Sequence, residues 1–272
     1  MSEQRSSTVI VDYSDDGAIA HVRLSRPEKK NSLTLHTLDE LVSITRRLRQ
    51  DRNLRVVILS GEGDTFSAGL DFGSAMRSPS DIAKAFAPRP WRGTNTFQEA
   101  AWGFRRLPVP VITAVQGHCL GGGLQIALAA DYRFTTADAT WSVLEAKWGL
   151  IPDMSGVHAL SSLVGQDVAK RLAMTGEMIS GEKAVKLGLA SELAADPEAA
   201  AAELAQVLVN RSPDSVAQAK KAFDSTWHRG PRATFAKERL LQARLLVTEN
   251  TKRARAAAAK KAAPAFAPRR VR

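Results

Sequence analysis

The chain has 272 residues, 44% of them hydrophobic, and a formal net charge of +10. This length and composition allow one large domain with a sizeable core and exclude a wholly disordered chain. The sequence shows no run of about 18 apolar residues, no apolar leader typical of a signal peptide, and only one cysteine, Cys119, so we expect a cytoplasmic protein with no membrane partner and no disulfide.

The first two thirds of the chain alternate predicted strands and helices. "TVIVDY" and "AIAHVRL" are predicted as two strands joined by the turn "SDDG". "RPEKKNSL" is predicted as a loop in which Asn31 or Ser32 caps a helix that runs to about Gln50. The runs "RVVILSG", "VPVITAV" and "YRFTT" are typical of buried strands, with helices between them. This alternation predicts an α/β fold with a mainly parallel sheet.

The strand signal fades after about Ser155, and helices dominate the last third. Before that point, residues 73–96 are rich in Ser, Pro and Arg and are predicted as a variable loop over the core. The later stretches "EAAAAELAQVLVN", "DSVAQAKKAFDSTW" and "RATFAKERLLQARLLVTENTKRARAAAAKK" are predicted as helices, with prolines near their starts. We therefore expect an α/β core over residues 1–195 and a helical region with a basic tail over residues 196–272.

The basic tail carries most of the positive charge. Between residues 249 and 272 the chain has eight lysines and arginines and one acidic residue, Glu249. Such a tail can be a solvated segment, a site for phosphate groups of a ligand, or a nucleic-acid surface. The last interpretation needs more than charge, and no RNA-recognition motif accompanies it, so nucleic acid is not expected as a partner.

The stretch "GHCLGGGLQIAL" places three glycines, Gly121 to Gly123, at the entrance of a predicted helix. A P-loop is excluded because no Lys-Ser/Thr follows, and a dinucleotide motif is excluded because Ile126 stands where a third glycine or alanine belongs. Two interpretations stay open: close packing of the helix on the sheet, or exposed backbone N–H groups that bind an oxyanion. A second glycine turn, "TFSAGLDF", follows the strand "VVILSG", and the N–H of Leu70 could point into the same space.

Four motifs carry a resemblance to a known family. "RPEKKNSL", "FSAGLDF", "PVITAVQGHCLGGGLQIALAADYRF" and "LEAKWGLIPDMSG" occur in this order within roughly residues 10–190 and resemble the crotonase (enoyl-CoA hydratase/isomerase) superfamily. The resemblance implies a core of stacked ββα turns and a C-terminal helical part that forms homotrimers or dimers of trimers. It also implies an acyl-CoA substrate, which brings its own coenzyme A, and no separate cofactor. The five histidines lack metal-ligand spacing, so no metal is expected.

The same resemblance assigns roles to individual residues. The thioester oxygen of the substrate would accept hydrogen bonds from the backbone N–H groups of Leu70 and Gly122. In this family, basic groups near the C-terminus meet the CoA phosphates, sometimes across a subunit boundary. The residues implied in CoA binding are Arg26, Lys29, Ala68, Asp71, Lys261 and Phe266. Asp71 could instead be an acceptor that stabilises its own turn.

Three polar residues are candidates for acid–base chemistry. Hydratases of this family use two glutamates; the second falls at Glu145, but the first falls at Gln125, and an amide cannot exchange a proton near neutral pH. Gln125 would orient a water or the substrate, or it is simply a satisfied polar residue on its helix. Asp153 stands where dienoyl-CoA isomerases carry an aspartate that works with the glutamate, although those enzymes have another aspartate at the position of Gln125. "DMSG" also fits a helix N-cap at Asp153.

These residues predict isomerisation of a double bond, in which Glu145 removes a proton and Asp153 or Glu145 returns it. The alternative within the family is syn addition of water to a 2-enoyl-CoA, with Glu145 as the acid–base group and Gln125 orienting the water. Thioester hydrolysis and C–C bond chemistry also stay open, because this fold supports several reactions on one oxyanion site. Outside enzymes, the chain could be a non-catalytic CoA-binding protein.

Overall fold

The structure is a computed structural model that describes residues 7–71, 73 and 79–271. In it, the chain folds around two β-sheets. Phe72 of the second glycine motif, residues 74–78 of the predicted loop and the outer ends of the two predicted domains lie outside the described residues. The strands are β1 Val9–Ser14, β2 Ile19–Leu24, β3 Val56–Gly61, β4 Val111–Val115, β5 His118–Leu120, β6 Tyr132–Thr135, β7 Thr140–Ser142, β8 Ile179–Ser180 and β9 Glu192–Leu193. The larger sheet has the strand order β1-β2-β3-β4-β6-β9 and the smaller one the order β5-β7-β8.

The larger sheet is mainly parallel, which confirms the predicted α/β class. β1 and β2 form the expected antiparallel hairpin, with Val9 opposite Leu24, and the remaining neighbours pair in parallel. In the smaller sheet β5 and β7 are parallel, and β7 and β8 are antiparallel. The sequence did not indicate β8 and β9, because a two-residue strand is too short to show any hydrophobic alternation.

The helices connect these strands and then form the last third of the described chain. They are α1 Leu35–Gln50, α2 Pro79–Phe86, α3 Thr96–Arg105, α4 Gly122–Ala127, α5 Gly156–Leu163, α6 Gln166–Thr175, α7 Gly181–Leu187, α8 Pro197–Val209, α9 Pro213–Thr226, α10 Pro231–Leu246 and α11 Glu249–Ala259. Two short 3₁₀ segments, Pro27–Lys29 and Leu144–Trp148, also lie within the described residues. In the described residues, no helix is long and apolar enough to span a bilayer.

The predicted N-cap of α1 at Asn31 or Ser32 is wrong. The cap is Thr34, whose side chain accepts a hydrogen bond from the backbone N–H of Thr37. Asn31 is buried with a left-handed φ of 52°, and its Nδ2 donates to the carbonyls of Glu62 and Thr65. Its side chain therefore joins two loops and is not free to cap a helix.

Two further predictions need correction. The predicted loop 73–96 contains the short amphipathic helix α2. The sequence did not indicate this helix, because Ser, Pro and Arg are frequent around it. The predicted helix from residue 232 to 261 is interrupted between α10 and α11, because the Thr248 side chain accepts from the N–H of Thr251 and starts a new helix.

The core has two parts, one on each face of the larger sheet. The main cluster packs the sheet against helices that include α1, α3 and α4. The second cluster lies on the other face, where Ala201 and Ala205 of α8 pack against Ile58, Ile112 and Phe134. The domain boundary at residues 195 and 196 stays a prediction, and α8, just past it, covers β3, β4 and β6.

The basic tail folds back onto the molecule. Arg269 is buried, and its Nη2 donates to the carbonyl of Asp51 at 2.9 Å. The carboxylate of Asp214, at the start of α9, accepts the backbone N–H groups of Arg270 and Val271 at 2.7 and 3.0 Å. The interpretation of a solvated tail is therefore wrong for Arg269, whereas the basic side chains from Lys252 to Lys261 are exposed, as that interpretation expects.

Candidate active site

The two glycine turns meet at a cleft of about 650 Å³. A bridge between Ser67 and Cys119 holds the two turns side by side. The floor of the cleft includes Leu70, Gly121 and Gly122. The walls are mostly apolar and comprise Ile82, Phe86, Phe97, Leu144, Trp148, Leu150, Ile151 and Met154, with the polar residues Asn95, Gln98, Glu145 and Asp153 among them.

The N–H of Leu70 is available to a ligand. Leu33 forms a parallel bridge to Leu70 by donating to the carbonyl of Gly69 and accepting from the N–H of Asp71, both at 2.8 Å. The N–H of Leu70 points to the opposite side of this bridge, and no acceptor within the described chain takes it. Gly69 has φ 91°, and a Cβ there would lie 2.9 Å from the carbonyl oxygen of Leu120. This glycine therefore lets the turn approach β5.

The second available N–H is that of Gly122, the first residue of α4. Gly121, with φ 50°, donates its own N–H to the carbonyl of Ser142, whereas the N–H of Gly122 has no acceptor among the residues that the structure describes. A Cβ at Gly122 would lie 2.9 Å from Met154 Sδ, and one at Gly123 would lie 2.5 Å from Ser67 Cβ. Close packing thus accounts for Gly123, while Gly122 combines close packing with a free donor on the cleft.

Glu145 brings a buried carboxylate to this floor. It lies in the 3₁₀ segment and is 8% exposed. Its Oε1 accepts from Nε2 of Gln125 at 2.5 Å, and its Oε2 has no hydrogen-bond partner in the described part of the chain. A Cβ at Gly121 would lie 3.3 Å from Glu145 Oε1, so the carboxylate sits beside the residue that precedes the Gly122 donor.

Burial raises the pKa of Glu145 above that of an ordinary glutamate. The hydrogen bond from Gln125 acts in the opposite direction, because it favours the ionised form, and the charge of the nearby Asp153 raises the pKa further. Asp153 is itself half-buried, which raises the pKa of its carboxyl. The cleft therefore contains two interacting carboxyls of raised pKa, a common arrangement for proton transfer.

Gln125 contacts Glu145 and does not line the cleft. It is 1% exposed, and its Oε1 accepts the backbone N–H groups of Met154 and Gly156 at 2.8 and 3.1 Å. A Cβ at Gly156 would lie 2.5 Å from this oxygen, so only glycine fits there. One amide thus joins the glutamate segment to the turn that follows Asp153. A direct contact of Gln125 with water or substrate stays a prediction.

The N-cap alternative for Asp153 is wrong. The helix α5 begins at Gly156, and its N-cap is Ser155, which has a left-handed φ of 68° and no side-chain capping bond. Asp153 lies two residues earlier and lines the cleft together with Glu145. Its carboxyl therefore faces the same cleft as that of Glu145, and the functional pairing of the two residues stays a prediction.

The residues predicted for CoA binding fall into two groups. Ala68 lines the cleft, and Arg26 lies close to it through an ion pair of 3.5 Å with Asp71, next to Leu70. Lys29 is exposed in the first 3₁₀ segment. Lys261 is exposed and Phe266 lies 6.0 Å under the guanidinium of Arg55, so neither residue lines the cleft of the same chain. The CoA contacts of all six residues stay predictions.

Sequence reasoning missed the apolar wall of the cleft and two of its polar residues, Asn95 and Gln98. They form a capping box at the start of α3. The pattern Asn-x-x-Gln before an apolar run could have indicated this helix start. The position of Asn95 and Gln98 on the cleft depends on the tertiary packing of α2 and α3, and no short sequence pattern indicates that packing.

The chain is similar to known proteins in sequence and in structure. Residues 14–269 match the family model described as enoyl-CoA hydratase/isomerase. A carnitinyl-CoA dehydratase of Escherichia coli (strain K12) is 34% identical over 215 residues, which cover 78% of each chain.

Solved structures extend the similarity to nearly the whole chain. An enoyl-CoA hydratase from Bacillus anthracis superimposes with a TM-score of 0.86 at 27% identity, covering 96% of this chain and 99% of that one. A putative enoyl-CoA hydratase from Streptomyces coelicolor A3(2) has a TM-score of 0.87 at 28% identity, with 99% and 97% covered.

Proposed function

Since the chain belongs to the enoyl-CoA hydratase/isomerase family, we propose that it shifts a double bond in an unsaturated acyl-CoA through an enolate. One observation carries this proposal: Glu145 and Asp153 line the same cleft as two free backbone N–H groups, while an amide replaces the first glutamate of the hydratases. The cleft thus offers two groups that can exchange protons with carbon and a site for the negative charge.

The backbone donors stabilise the intermediate. The thioester oxygen accepts from the N–H groups of Leu70 and Gly122, and the hydrogen bonds strengthen as negative charge moves onto this oxygen. Removal of one preorganised donor of this type costs about 2.7–4 kcal/mol of barrier. Because both donors belong to the backbone of glycine turns, they need no reorganisation during the reaction.

Glu145 acts as the base. Its Oε1 is held by Gln125, so Oε2, which has no partner in the described residues, is the oxygen that takes the proton. The C–H bond breaks, its electron pair forms the dienolate, and the negative charge rests on the thioester oxygen. Asp153, or Glu145 itself, then returns a proton at another carbon, and the double bond is shifted with no net change in atoms.

The contacts of Gln125 argue for isomerisation over hydration. Hydration with two glutamates needs both carboxylates on one water, but here the amide makes three hydrogen bonds to protein groups. The second candidate function is nevertheless hydration or its reverse, dehydration, because a relative of 34% identity is named carnitinyl-CoA dehydratase. In that reaction Glu145 would activate water with Asp153 as the second carboxyl.

The two candidates are distinguished by their products. Purified protein is incubated with crotonyl-CoA, with 3-enoyl-CoA and with 3,5-dienoyl-CoA, in normal and in deuterated water. We expect rapid double-bond migration and deuterium at the new C–H positions. Robust addition of water to crotonyl-CoA without any migration contradicts isomerisation and favours the second candidate. No reaction with any of the three contradicts both candidates and leaves a CoA-binding role or another acyl-CoA reaction.

We further propose that CoA lies along Arg26, Lys29, Ala68 and Asp71. Lys261 and Phe266 would reach the CoA phosphates of a neighbouring subunit in a homotrimer or a dimer of trimers. Size-exclusion chromatography with light scattering measures the assembly. A monomer with full CoA affinity contradicts the contribution of Lys261 and Phe266 from a neighbour.

A further inference from the structure

We propose that Asn95 and Gln98, here called the amide pair, bind a neutral oxygen atom carried by the acyl chain of the substrate. This proposal rests on the cleft being the acyl-CoA site of the proposed function. It names the substrate class more closely: acyl chains that bear a hydroxyl or carbonyl group beyond the reacting carbons.

The capping box fixes the orientation of both amides. Asn95 Oδ1 accepts from the backbone N–H of Gln98 at 2.8 Å, and Gln98 Oε1 accepts from the backbone N–H of Asn95 at 3.0 Å. A flipped amide would direct its NH₂ group at a backbone N–H, so the hydrogen bonds themselves assign the oxygens. The NH₂ groups therefore lie on the other side of each amide.

These NH₂ groups are left for a ligand. Both side chains line the cleft, and neither NH₂ donates to an acceptor within residues 7–71, 73 and 79–271. Asn95 is 8% exposed, so its accessible surface is small, and this side chain lies on the cleft. Capping accounts for the two oxygens and the start of α3, but it gives no role to the two NH₂ groups.

The surroundings make this pair selective. The neighbouring wall is apolar, with Ile82, Phe86 and Phe97. A plain alkyl chain would displace water from the donors without replacing its hydrogen bonds, which costs binding energy, whereas an oxygen on the chain would replace them. The same cleft holds the carboxyls of Glu145 and Asp153, and no lysine, arginine or histidine is among the described residues that line it. A neutral acceptor is therefore favoured over a carboxylate.

The experiment measures binding without turnover. Saturated acyl-CoA cannot be isomerised or hydrated, so calorimetry compares hexanoyl-CoA with its 4- and 5-oxo derivatives, whose ketone oxygen can only accept, and with adipoyl-CoA. We expect at least one oxo chain to bind about five- to tenfold more tightly than hexanoyl-CoA, since one or two neutral hydrogen bonds are gained. Adipoyl-CoA, with its terminal carboxylate, should show no gain.

Variants then test whether the amide pair causes this gain. Asn95→Ser and Gln98→Glu both keep an oxygen that can serve the capping box but remove the NH₂ groups. The affinity ratio between the best oxo chain and hexanoyl-CoA should fall to near one in the double variant, because a ketone oxygen cannot donate to the new carboxylate. If the shorter serine side chain weakens the start of α3, the second double variant is Asn95→Asp with Gln98→Glu. Its side chains have nearly the same shape as the original amides. The matched control is Gln166→Glu, the same change at an exposed position on α6, which should leave the ratio unaltered.

Two results overturn the proposal: no oxo chain binds better than hexanoyl-CoA, or the gain persists in the double variant. Because the measurement needs no reaction, its outcome is separate from the choice between isomerisation and hydration. Failure of every acyl-CoA to bind would refute the proposed function itself, and the amide pair with it.

Discussion

The contact between Gln125 and Glu145 makes a sharp prediction about the variant Gln125→Glu. The new carboxylate keeps an oxygen on the N–H groups of Met154 and Gly156, so the side chain should stay in place. Its other oxygen, however, replaces an N–H donor 2.5 Å from Glu145 Oε1. Two buried carboxylates at this distance cannot both be ionised, so they share one proton.

The shared proton should reside mainly on Glu145. The two backbone N–H groups stabilise negative charge at position 125, whereas Glu145 loses its donor and is already of raised pKa because of burial. A hydrogen bond to a charged group is worth about 1.5–3 kcal/mol, which corresponds to roughly 10- to 150-fold in the ionised fraction of the base. We therefore expect kcat to fall by up to about this factor on the acidic side of the pH profile, and the loss to shrink as the pH rises.

The assay is the pH profile of kcat for the conversion of 3-enoyl-CoA, followed by the ultraviolet absorbance of the conjugated product between about pH 5 and 9. The acidic limb should move to higher pH in Gln125→Glu, while KM changes little, because Gln125 does not line the cleft. Gln206→Glu, the same change on the exposed surface of α8, is the control. An unchanged kcat and an unchanged acidic limb would refute the role assigned to this hydrogen bond.

Further predictions concern the same network and the tail. Glu145→Gln should lower kcat by about 10²–10⁴-fold with the fold intact, as expected for loss of a general base, and a variant that retains turnover removes Glu145 from the mechanism. In the unaltered protein, activity should require ionised Glu145; since burial raises its pKa, the acidic limb of the profile should lie above the pKa of an ordinary glutamate, and a limb at the ordinary value contradicts this. Gly156→Ala should lower both Tm and kcat, because its Cβ would meet Gln125 Oε1 at 2.5 Å; an unaltered kcat with a lowered Tm would limit this residue to stability. Asp214→Ala should destabilise the fold by about 1–3 kcal/mol in urea unfolding, because the backbone donors of the tail lose their acceptor, and an unchanged unfolding midpoint would show that the tail contributes nothing.

The fold could be predicted from the sequence wherever the signal was local and repeated. The hairpin of β1 and β2, the buried strands β3 and β4, and the helical last third follow from periodicity and turn residues. The start of α1 could not, because several polar residues near it could cap a helix, and only the burial of Asn31 between two loops leaves the cap to Thr34.

In the candidate site, too, local motifs could be predicted from the sequence and tertiary contacts could not. The two glycine turns and Glu145 were recognisable from their motifs. The partner of Gln125 was not, because Glu145 lies 20 residues away in sequence and the contact depends on how α4 meets the 3₁₀ segment. From the sequence, Gln125 was either a group that orients water or substrate or a satisfied polar residue, whereas the structure shows it as a donor to Glu145. The orientation of Asn95 and Gln98 likewise depends on packing that no short pattern encodes.

The contact of Arg269 with Asp51 spans 218 residues, and it affects how the chain can fold during its synthesis. The sheet and α1 can assemble as soon as they leave the ribosome, but the carbonyl of Asp51 and the carboxylate of Asp214 wait for residues 269–271. Before residues 269–271 are synthesised, a nascent chain can form its core but not the hydrogen bonds from the tail to Asp51 and Asp214. A ribosome stalled just before the tail should therefore display a protein that is more sensitive to protease at the end of α1 than the released one.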